Sequence, residues 1–177
     1  GKAVAEILFG EVSPSGKLPV TFYKNEALDN MPAFTDYSMA ERSYRYYTGE
    51  PLYPFGYGLT YGDTEVTALS ADKSQARVTV RNSGTATEDV IELYIHDEAS
   101  EYAPTNPVLC GFLRIKLEKG EEKTVSVPID PKAFTVINDE GERICGSGKW
   151  TLYAAFSQPD KRSEALTGKK AQSCGIK

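Results

Sequence analysis

The sequence predicts an all-β protein, a seven-stranded antiparallel sandwich entered through a short helix and strand and then an extended strap rich in aromatic residues. Three observations predict it. After Asp63, short segments of alternating apolar and polar residues recur with turn residues between them. Before Lys24 there is one helix-like and one strand-like segment, too little to close a core of its own. Between the two, nine of the chain's 19 aromatic residues fall from Phe34 to Tyr61. With 40% hydrophobic and 25% charged residues among 177, the composition is that of a globular protein. No apolar run nears the roughly 20 residues of a membrane-spanning helix, so no membrane partner is expected.

The opening stretch GKAVAEILFG repeats apolar residues at helical spacing through Ala3, Val4, Ile7 and Leu8, and Gly10 suits a left-handed cap. SPSGKLP follows as turn chemistry, and Leu18 to Tyr23 alternates like a short strand. Gly1 is not an initiator Met and no export signal follows it, so the chain reads as a piece excised from something longer. From Lys24 to Gly62 neither period is sustained. Rings at that density must pack on something, because exposed aromatic surface gains nothing from water. PLYPFGYGLTYGD, Pro51 to Asp63, therefore reads as an ordered strap, extended at Pro51 and Pro54 and free to turn or approach closely at Gly56 and Gly58. Phe55, Tyr57, Leu59 and Tyr61 are its expected interdomain packing residues, with Phe55 and Tyr57 largely buried.

Seven candidate strands follow: 65 to 70, 76 to 82, 89 to 97, 108 to 117, 123 to 129, 133 to 138 and 149 to 156. Val78 and Val80 face one way with Thr79 opposite; Ile91, Leu93 and Ile95 share a face against Glu92 and Tyr94. Turns are expected at Asn82-Ser83-Gly84, Lys119-Gly120 and Asn138 to Gly141. Seven strands with no helix between them argue for a sandwich of immunoglobulin or fibronectin type III kind. Cys110 and Cys145 do not frame a strand-borne Trp as in antibody domains, so the fibronectin-like variant is preferred. The expected organisation is a helix–strand piece over 1–23, the strap over 24–62, the sandwich over 63–157 and a tail over 158–177. Net charge is −5 overall but +4 over residues 161 to 177, leaving −9 for the rest, so the tail reads as a solvated basic end. That balance does not suit nucleic acid, which needs a clustered positive field.

Little in the chain reads as chemistry. His96 is the only histidine, and a nucleophile relay or zinc site needs further members. Three scattered cysteines give no CxxC spacing; a Cys145–Cys174 bridge is open if the chain is secreted, and no Asn-x-Ser/Thr acceptor marks a compartment. The acidic groups Asp97/Glu98/Glu101 and Asp139/Glu140/Glu142 sit on strand-end turns, where carboxylates serve local hydrogen bonds. The glycines of GYGLTYG lack the flanking strand and helix of a phosphate-binding loop. Neither a metal nor a cofactor is expected. Tyr44, Arg45 and Tyr46, in ERSYRYY, could line a carbohydrate pocket, since rings stack on sugar faces and guanidinium groups bind hydroxyls; interdomain packing accounts for them as well.

Several stretches together resemble the C-terminal part of glycoside hydrolase family 3, the β-glucosidase and β-xylosidase family. AVAEILFGEVSPSGKLPVTF resembles the last helix and strand of the family's α/β sandwich domain. RYYTGEPLYPFGYGLTY resembles the bridge to its terminal domain, with Thr60 where Ser is usual. VTVRNSGTATEDVIELYIHD, LCGFLRIKLEKGEEKTVSVPI and GKWTLYAAF resemble successive parts of its fibronectin type III-like domain, so the resemblance covers about residues 3 to 157. It implies a parent that is a retaining exo-glycosidase acting on an oligosaccharide or β-glycoside. Members carry the nucleophile aspartate on a barrel domain and, in many, the acid/base glutamate earlier in the α/β sandwich domain. No residue here matches either, so no catalytic residue carries over. The implied role is accessory, packed against barrel and α/β sandwich domains of the same polypeptide, the barrel lying before residue 1 or, in members with rearranged order, beyond Lys177. The rival reading is a free-standing carbohydrate- or protein-binding β-sandwich.

Overall fold

The structure, a computed structural model, describes residues 1–176. Helix α1 (Lys2–Leu8) runs at the start, and Gly10 turns the chain after it at φ 76°. Two single-turn helices, α2 (Asn25–Leu28) and α3 (Ser43–Tyr46), interrupt the strap. The turn into α3 holds Met39, Glu41 and Ser43 at positive φ, a costly backbone for residues with a side chain. Arg42 steadies it by donating to the carbonyls of Pro32 and Ala33.

Nine strands follow among the described residues: β1 (Thr64–Ala71), β2 (Gln75–Asn82), β3 (Thr87–Asp97), β4 (Val108–Leu117), β5 (Glu122–Pro128), β6 (Thr135–Ile137), β7 (Arg143–Cys145), β8 (Trp150–Ala155) and β9 (Gln172–Ile176). An antiparallel sheet β1-β2-β5 faces a second, β4-β3-β8-β9, while β6 and β7 form a separate hairpin. Between the sheets lie Val78, Val80, Ile91, Leu93, Leu117 and Leu152, all fully buried, with Trp150 closing one end against Phe134 in an edge-on contact at 5.5 Å. Each fully buried aliphatic side chain is worth about 1.5–3 kcal/mol. At the Asn82-Ser83-Gly84 turn, the buried Asn82 amide donates to Thr85 O and accepts from the N–H groups of Asp63 and Gly84.

The seven-strand count of the two sheets stands, but its membership differs from the sequence reading. The sixth candidate breaks: Pro131 starts a 3-10 turn to Phe134, leaving a three-residue strand that pairs only with β7. The seventh place is taken by β9, from the stretch read as a solvated tail. That stretch forms α4 (Lys161–Thr167), capped by Asp160 accepting from Ser163 N–H and ended by Gly168 in the left-handed region, and then β9 beside β8. Two of its cations are paired, Lys169 with Asp63 at 2.6 Å and Lys170 with Glu164 at 3.5 Å, and a basic composition did not mean a solvated chain. The expected strand at Leu18 to Tyr23 is likewise absent. Its only bridge joins Phe22 to Tyr53 of the strap, with Leu18 exchanging hydrogen bonds with Gly56 and Tyr57, and Pro19 supplies no N–H to continue the ladder. Among the described residues no helix is long and apolar enough to cross a membrane.

Candidate functional site

The strap lies on the outer face of β3. Ile91, Leu93 and Ile95 point into the sandwich, so Glu92 and Tyr94 point away from it, yet Tyr94 is 0% and Glu92 4% exposed. What covers them is the strap. Tyr44 and Phe55 stack at 4.1 Å with 18° between planes, and both meet Tyr94 edge-on at 6.3 and 6.4 Å. Each such pair contributes about 0.5–1.5 kcal/mol beyond the area it buries. Gly56, at φ 75°, crosses directly over the Glu92 carboxylate and the Tyr94 hydroxyl; a Cβ there would collide with both.

Hydrogen bonds fix the same contact at its edges. Asn106 donates from its side chain to Tyr44 O and Tyr47 O and from its backbone to Arg45 O. Leu109 N–H donates to the Tyr44 hydroxyl, and Gln158 N–H to Phe55 O. The N-terminal segment is anchored separately. Lys17 pairs with Asp89 of β3 at 2.8 Å and also donates to Phe156 O at 2.8 Å, and the Lys17 and Asp89 side chains are largely out of water. Asp89 accepts a second bond from the Thr64 hydroxyl at 2.6 Å. Ser13 Oγ lies 2.8 Å from Thr60 Oγ1 and 2.7 Å from Thr87 Oγ1, so Thr60 supplies the hydroxyl that a serine would.

Burial governs the acid–base character of this junction. It pushes the Glu92 carboxyl up to about 7, against the Tyr94 hydroxyl, which donates to Oε2 at 2.7 Å, and against Lys17; Asp89 adds to the rise. Burial and the neighbouring Glu92 hold the Tyr94 phenol far above its ordinary range, and burial raises Tyr44. Elsewhere, burial pushes the Cys110 thiol up to about 12. Cys145 and Cys174 are free thiols. Asp97 accepts from Ala99, Ser100 and Ser147, the local turn role its position suggests, and His96 sits 3.4 Å from Glu98. No three His, Cys, Asp or Glu residues converge as metal ligands among the described residues.

The residues singled out in the sequence divide. Phe55 and Tyr57 are half-buried, Tyr57 stacked on Tyr53 at 5.5 Å, whereas Leu59 is 66% exposed and Tyr61 is exposed while donating to Ile7 O of α1. Of Tyr44, Arg45 and Tyr46, Tyr44 is engaged by the stack with Phe55 and the bond from Leu109, Arg45 is exposed and Tyr46 is half-buried. Glu92 escaped the sequence reading because alternation assigns it to a solvated face. The hint was there in the strap, whose rings needed a surface.

Residues 1–61 match the Glycosyl hydrolase family 3 C-terminal domain, and residues 89–158 match the Fibronectin type III-like domain. A putative beta-xylosidase of Formosa agariphila is 34% identical over 96% of this chain, and thermostable beta-glucosidase B of Acetivibrio thermocellus is 37% identical over 79% of it. Among solved structures, the β-glucosidase DesR of Streptomyces venezuelae superposes on 99% of the chain with a TM-score of 0.78 at 26% identity. The chain spans 24%, 21% and 24% of the lengths of these three.

Proposed function

Since the chain belongs to glycoside hydrolase family 3, as a C-terminal region with a fibronectin type III-like domain, we propose that it is an accessory and non-catalytic part of a β-glycosidase. In this reading its N-terminal segment and strap pack against the barrel and α/β sandwich domains of the same polypeptide, which hydrolyses O-glycosyl bonds of an oligosaccharide or β-glycoside. One observation carries it. Fourteen of the sixteen exposed large hydrophobic side chains among the described residues lie between Val4 and Tyr61, including Leu8, Phe9 at 83% exposed, and Leu59. Scattered apolar residues are normal on a surface, but a concentration of this kind marks a face that another protein surface covers.

The strap then acts from both sides. Phe55 and Tyr44 hold it to the sandwich, and Leu59 and Tyr61 are the packing residues turned to the other domains. The chain alone, assayed on aryl β-glucosides and β-xylosides, is expected to show no turnover above a mock purification. Turnover that survives further purification would overturn the accessory role.

A further inference from the structure

We propose that Glu92 is a protonation switch for strap docking: its carboxyl lies neutral beneath Gly56, and its ionisation loosens the strap from the outer face of β3. The geometry leaves the charged form poorly served. Cross-strand from Glu92 stand Phe112 on β4 and Ala155 on β8, neither of which carries charge. On β3 itself, Tyr94 gives the one side-chain hydrogen bond to Oε2, and Asp89 is a like charge nearby. From the strap come Gly56, pressed on the same oxygen, and the Tyr44 phenol, whose ring stands edge-on to Tyr94. Asp160, before α4, adds another negative group on the Tyr94 side. Lys17 is the nearby cation, and it is committed to Asp89 and Phe156 O; Arg114, on β4, is paired with Glu88.

A buried carboxylate with one hydroxyl donor and no cation of its own costs far more than the neutral acid. The raised value of about 7 agrees in direction. In an undocked strap the same side chain would titrate near the ordinary carboxylate value of about 4.3. Docking is therefore fully supported by this group below about pH 4.3, weakens as pH rises between the two values, and levels off above about 7. The linkage allows a loss of up to roughly tenfold in the docking equilibrium for each pH unit in that window.

Hydrogen exchange of strap amides in the full chain, corrected for the intrinsic pH dependence of exchange, tests this. Protection at Gly56 and Tyr57, relative to core amides of β2, should fall roughly tenfold per unit between about pH 5 and about pH 7 and then flatten. In Glu92→Gln, which keeps the shape and an acceptor for Tyr94, protection should stay flat and match the low-pH value of the wild type. A strap whose protection does not change with pH, or a pH dependence that persists unchanged in Glu92→Gln, overturns the proposal. A carbon-detected NMR titration showing Glu92 in the ordinary carboxylate range would do the same.

Discussion

Residues 1–61 and residues 64–176 solve the burial problem in opposite ways. The second region closes on itself, and the 16 residues of its apolar core all come from Val66 onward. The first region contains no buried residue except Pro51, Pro54 and Gly56, all three in the strap. Its helices bury nothing fully. Its order comes from borrowed contacts: the Tyr44–Phe55–Tyr94 cluster, the Lys17–Asp89 pair and the Ser13–Thr60–Thr87 hydroxyls. A segment with no core of its own can thus still be held in one place, through a few strong points on one face, while its other face stays apolar and open.

That contrast can be broken most severely at the closed region's last strand. Ending the chain after Ser157 removes α4 and β9 and uncovers the β8 edge beside Trp150 and Leu152. We expect loss of cooperative unfolding by circular dichroism, that is, most of the ~5–15 kcal/mol typical of a domain. A truncated chain that melts like the parent would return these residues to the status of a tail. Lys17→Met comes next. It leaves Asp89 buried without its cation, which should cost about 3 kcal/mol in a urea titration and release the N-terminal segment first, seen as early proteolysis near Lys17. A cost near zero would mean that the aromatic cluster alone holds the segment. Leu59→Ser is the mildest, within about 0.5 kcal/mol in this chain because the side chain is already exposed. In a longer polypeptide carrying the barrel and α/β sandwich domains it should cost roughly 1–2 kcal/mol by melting temperature. Equal effects in the two settings would remove the reason for calling the face an interface.

Much of the sandwich was legible beforehand because period-two alternation reports directly on a sheet with one buried face. Six of the seven candidate strands, from the one at Thr64 to the one at Trp150 but without that at Ala133, match observed strands to within a residue or two. Alternation failed in two informative places. β9, QSCGI, is short, has small residues through its middle and has one buried side chain, Ile176, so its pattern was too weak to stand out from a basic tail. At Glu92 the alternation itself was right, but it carries no information on what covers the second face of a strand.

By itself the sequence determined the sheet-forming segments, the turns between them, the family and the presence of a strap that must pack, since each follows from local periodicity, turn chemistry or a run of motifs. Only the tertiary structure decided that the strap packs on β3, that Lys17 pairs with Asp89 across 72 positions of chain, and that Glu92 lies sealed beneath Gly56. Burial of a second sheet face, and the shift in proton affinity that follows from it, depend on which distant segments meet, and local residue patterns do not encode that meeting.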